Sequence, residues 1–120
     1  MVFLLACALF LGDDSSDPEC AREPPLDYTG FGEGFLTTHC LGCHSSLLPA
    51  EMRHDSPVGV DFDTYERVLQ WADRIEARAT GAEPTMPPSG GPSKDEIALL
   101  TEWLHCQVAE DVALYSGGGQ

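Results

Sequence analysis

The sequence predicts an all-α domain of three main helices joined by long irregular loops. Three observations lead there. Apolar residues recur at helical spacing in three separate stretches. A capping-box tetrad opens the last of them. No period-2 alternation persists long enough to suggest a sheet. With 120 residues the chain has room for one domain, and its apolar fraction of 42% suits a globular protein with a modest core.

Val2 to Leu11 is a continuous apolar run, shaped like the h-region of a signal peptide although a basic n-region is missing. Leu4-Leu5-Ala6-Cys7 also resembles a bacterial lipobox, in which Cys7 would be lipidated; otherwise Cys7 is an ordinary leader residue. Both readings make residues 1–11 a leader and predict export, to the periplasm or cell envelope. No stretch of about twenty apolar residues occurs, so a lipid anchor, not a transmembrane helix, is the expected membrane attachment. Residues 12–27 form an acidic, Pro-rich arm that reads as a tether. A domain over 28–110 and a flexible tail over 111–120 complete the expected organisation.

The first helix is expected from about Gly32 to Cys43, with Phe31, Phe35, Leu36 and Cys40 spaced for one side. The second runs from about Thr64 to Ala79, where Tyr65, Val68, Leu69, Ala72, Ile75 and Ala79 form a stripe. Asp63 stands at its expected N-cap, with Glu66 completing a box-like pair. The third starts at Ser93, where Ser93-Lys94-Asp95-Glu96 is a capping box, and shows an apolar face of Ile97, Leu100, Trp103, Leu104 and Val108. The connections over 45–62 and 80–92 are long, and loops of that length commonly serve a function or wrap a ligand.

The net charge is −14, with one lysine and five arginines against twenty carboxylates. Such a surface excludes a nucleic-acid binder, which needs a basic footprint. It also disfavours anionic lipid headgroups. The charge serves either plain solubility or recognition of a basic partner. Five cysteines point to an oxidising compartment or a bound cofactor.

Cys40-Leu41-Gly42-Cys43-His44 is the signature of covalent haem c attachment. Residues i, i+3 and i+4 project from one face of a turn, so two thiols can reach the two vinyl groups while His44 offers a ring nitrogen to iron. Three other readings compete. A zinc site lacks a second Cys/His pair at finger spacing. A redox dithiol expects a βαβ setting. The third is chance.

Around this motif, from about Tyr28 to Gln107, the chain resembles the class I cytochrome c domains, and more closely the small bacterial monohaem modules found in lipoproteins. Gly32 and Leu36 occupy the places of the small and large apolar residues that precede the motif in that family. Leu100-Thr101-Glu102-Trp103-Leu104 matches its Leu-x-x-(Tyr/Trp)-Leu C-terminal helix. The resemblance implies the cytochrome c fold, one covalently attached haem c, and a crossing of the first and last helices in which Gly32 lets the backbones approach. The alternative is a generic helix pair. The resemblance also assigns Met86, in Pro84-Thr85-Met86-Pro87-Pro88, as the second iron ligand opposite His44; prolines stiffen such a loop, whereas an isolated methionine otherwise fills core. Met52, His39, His54 and His105 are the remaining candidates. Arg53, Arg74 and Arg78 are candidates to pair with haem propionates, against plain surface solvation.

With Cys40 and Cys43 on haem and Cys7 in the leader, Cys20 and Cys106 remain. One precedes the first helix and the other ends the last, so a disulfide is expected where those helices cross; two free thiols are the alternative. The function implied is an electron carrier and not an enzyme, exchanging single electrons with redox protein partners that carry a basic docking patch. A haem sensor or peroxidase-like enzyme would follow if Met86 leaves iron open, and a zinc or dithiol module if no haem binds.

Overall fold

The computed structural model describes residues 20–118; the leader with Cys7 and the first part of the arm lie outside them. Among the described residues every regular element is helical. A π-helical turn over Tyr28–Gly32 leads into helix α1, Glu33–His39. Asp27 starts it by accepting a 2.5 Å bond from the Gly30 amide. Helix α2 spans Tyr65–Ala79, and helix α3 spans Lys94–Trp103. The last helix continues through a second π-helical turn, Leu104–Val108, into α4, Ala109–Gly118.

The buried core comes from α1, α2, α3 and the second π-helical turn. Phe35 and Leu36 come from α1, Val68, Ile75 and Ala79 from α2, and Leu100, Trp103, Leu104 and Val108 from the last helix. Phe62 joins them from the loop before α2. The expected stripe of α2 is the face that is buried or half-buried.

The first and last helices cross at Gly32. A Cβ built there would overlap the Trp103 indole, so only glycine allows this approach. Trp103 is fully buried, and Tyr28, Phe31 and Tyr65 surround it with ring centroids 6.0–6.4 Å away. The expected disulfide is formed: Cys20 and Cys106 are bonded, with Cα atoms 5.4 Å apart. Beside it Arg22 reaches Glu102 through two bonds, Nε to Oε2 at 2.6 Å and Nη2 to Oε1 at 3.1 Å. The described end of the arm is thus strapped to the last helix and does not hang as a tether.

Three boundaries differ from expectation. Helix α1 stops at His39, four residues early, because the amides of Cys40 and Leu41 both bond to the Leu36 carbonyl. A separate turn then forms, with the amides of Cys43 and His44 bonded to the Cys40 carbonyl. Helix α2 is capped by Thr64, whose hydroxyl accepts from the Arg67 amide, because Asp63 is occupied elsewhere. Residues 109–118 form α4 instead of a tail. Val112 packs against the core, and Asp111 accepts a 2.5 Å bond from the Tyr65 hydroxyl.

Candidate functional site

The turn after α1 holds Cys40, Cys43 and His44. Neither cysteine is in a disulfide, in contrast to Cys20 and Cys106, and all three side chains are half-buried. Burial, with the neighbouring Cys43, pushes the Cys40 thiol up to about 12. A redox dithiol works through a depressed thiol pKa, so this environment speaks against that chemistry. Among the described residues no three His, Cys, Asp or Glu side chains converge to hold an ion. The two thiols and the imidazole are therefore not gathered into a shared tetrahedral site.

The imidazole of His44 is fixed from two sides. Its Nδ1 lies 2.8 Å from the Val60 carbonyl oxygen. A carbonyl only accepts, so Nδ1 carries a proton, and Nε2 is the nitrogen that a metal could use. Metal-ligating histidines are commonly oriented by such a bond from the far nitrogen. The Phe62 ring stacks on the imidazole, centroids 4.7 Å apart, while the Phe62 amide bonds to the His44 carbonyl at 2.9 Å.

Asp63 secures the backbone just after the motif. Its carboxylate accepts from Ser45 Oγ at 3.1 Å, Ser46 Oγ at 2.7 Å and the Ser46 amide at 3.0 Å. Burial opposes its ionisation, but the bonds from Ser46 and Ser45 outweigh it and hold its pKa below the ordinary value.

Arg53 occupies the inside of the loop and is 1% exposed. Its guanidinium lies 2.6 Å from Asp61 Oδ1 and donates to the carbonyls of Ser45 and Pro57 at 2.6 and 2.9 Å. It is neither surface-solvated nor free to meet a propionate, because buried Asp61 already neutralises it. Arg74 and Arg78 are exposed.

The loop with Met86 is tied to the end of α2, where the Thr85 and Met86 amides both bond to the Arg78 carbonyl, at 2.8 and 2.9 Å. Met86 is 39% exposed. Met52 is 57% exposed and closes a short 3-10 turn, Ala50–Met52. Two further imidazoles lie beside carboxylates, His105 2.8 Å from Glu76 and His39 3.5 Å from Glu96. His54 is exposed with a positive φ of 51°.

Of the expected site residues, the fold brings Cys40, Cys43 and His44 into one turn. Val60, Phe62, Asp61 and Asp63 were not anticipated. Their only signal in the sequence is the unusual alternation Val60-Asp61-Phe62-Asp63 just before a helix. Comparison with family models, with curated proteins and with solved structures finds no match.

Proposed function

We propose that this chain is an exported monohaem cytochrome c that carries single electrons between redox proteins. The observation that carries the reading is the orientation of His44: Nδ1 is held on the Val60 carbonyl, so Nε2 is the nitrogen left to ligate, in the same turn as two unpaired thiols. The donor set fits haem c. Cys40 and Cys43 would each add S–H across one vinyl group, and His44 Nε2 would ligate iron. Met86 would supply a second ligand from its tied loop. Haem supplies the one-electron couple, and a His/Met ligand pair raises its potential.

The protein's share of the work is positional. Phe62 and Val60 hold the imidazole against rotation, and Asp63 fixes the backbone that follows it. Were both His44 and Met86 to ligate iron, the group would serve electron transfer and not substrate chemistry. The acidic surface suits redox partners with a basic docking patch.

The test is export through a c-type maturation system. The purified chain should gain the mass of one haem, resistant to acid-acetone extraction, and replacing both Cys40 and Cys43 by Ala should abolish that resistance. Extractable haem, or colourless protein with two free thiols, would overturn the proposal.

A further inference from the structure

The loop between His44 and Phe62 closes on a single side chain. Arg53 donates from Nη1 to the Ser45 carbonyl at 2.6 Å, next to His44 in the chain. From Nη2 it donates to Pro57 at 2.9 Å and to Val60 at 3.3 Å. Nε completes the set with the Ser56 carbonyl at 3.3 Å. The Val60 carbonyl is thereby shared between the guanidinium and the imidazole of His44, one acceptor with two lone pairs. Asp61, 4% exposed at its side chain, balances the charge, and Arg67 reaches its other oxygen at 3.5 Å.

A buried ion pair is a costly way to stabilise a fold, and packed apolar residues often do as well. What the planar guanidinium does that an apolar side chain cannot is hold several carbonyls at fixed directions. Two of those carbonyls bear on His44: Ser45 follows it in the chain, and Val60 accepts from its ring. We propose that Arg53 is a positioning residue for His44: it fixes the Val60 carbonyl on Nδ1–H and so sets the tautomer and the direction of the ring, with Nε2 turned away for ligation. What Nε2 then binds rests on the cytochrome reading; the positioning does not.

The experiment follows the Nδ1 proton of His44 by NMR in the full-length, histidine-labelled protein, in the reduced state where it carries haem. Arg53→Met/Asp61→Leu removes both charges together, leaving no uncompensated carboxylate. It should speed exchange of the Nδ1 proton at least tenfold while a cooperative melting transition is retained. Arg53→Lys keeps the charge beside Asp61 but cannot span the Ser45 and Val60 carbonyls, and should give a smaller rise. Ser93→Ala, a stability defect far from the loop in sequence, should leave the exchange within twofold of the parent. Exchange within twofold in each folded Arg53 variant overturns the proposal. So does failure of both variants to fold, which would make Arg53 a determinant of the fold itself. A colourless preparation would sink the cytochrome reading and leave this measurement intact.

Discussion

A methyl group at position 32 would share space with the Trp103 indole, which is fully buried among three other aromatic rings. Neither partner can yield cheaply, since α1 and the last helix are both packed into the core there. Gly32→Val should therefore destabilise the protein by about 1–3 kcal/mol, the usual cost of overpacking, and more if the crossing opens. Urea denaturation followed by Trp fluorescence measures it. At the proposed iron site two methionines make opposite predictions. Met86→Ala should convert a low-spin spectrum to a high-spin or mixed one, admit carbon monoxide and lower the potential. Met52→Ala, on an exposed turn, should change none of these. Exchange of those behaviours between the variants would show that the wrong loop was chosen.

At the scale of elements, the best-defined boundary is the start of α3. The Ser93 hydroxyl accepts from the Glu96 amide at 3.1 Å, and Glu96 returns a 2.7 Å bond to the Ser93 amide. Ser93→Ala should cost about 1 kcal/mol. The bond from the Ser93 amide holds the Glu96 carboxyl below its ordinary value of 4.5; desolvation opposes it, and His39 adds to the lowering. A depressed carboxylate stabilises the fold above its unfolded pKa and loses that contribution as pH falls through the folded one. The stability difference between the parent and Glu96→Gln should accordingly be full at neutral pH and shrink below about pH 4.5. Thermal melts across that range test the sign.

This box was legible in the sequence because both partners lie within one turn. So was the stripe of α2, whose spacing is local. The cap of that helix was not, since Asp63 is drawn away by Ser45 and Ser46, seventeen or eighteen positions earlier in the chain. The same holds for α4, docked by a bond between Tyr65 and Asp111. In the site, the motif residues could be read directly. The carbonyl that orients His44 could not, because a backbone acceptor leaves no mark on residue identity.

For the whole molecule, charge is the dominant feature. Arg22, Arg53 and Arg67 all lie within 3.5 Å of carboxylates, so part of the small positive complement is spent internally. The overall balance remains acidic, at −14. Electron transfer to a basic redox protein should therefore slow steeply from low to physiological salt, where the Debye length is about 8 Å. A neutral small-molecule reductant should show little dependence. Deleting Gly12 to Pro18, which leaves Cys20 in place, separates steering by the arm from steering by the domain. Stopped-flow rates with no salt slope in either protein would rule out acidic docking.

The Cys20–Cys106 bond has a mechanical meaning as well. It closes a covalent ring across a separation of 86 residues, and the motif turn, the Val60–Asp63 segment and Met86 all lie inside that ring. Tension on the two chain ends enters at Cys20, crosses the sulfur–sulfur bond and leaves at Cys106, so the backbone between them is out of the line of force. At about 3.5 Å per extended residue, roughly 300 Å of chain is kept from stretching while the bond is intact. A load borne at the N-terminus, such as a lipid anchor would impose, then falls on the last helix and spares the motif turn and the Met86 loop.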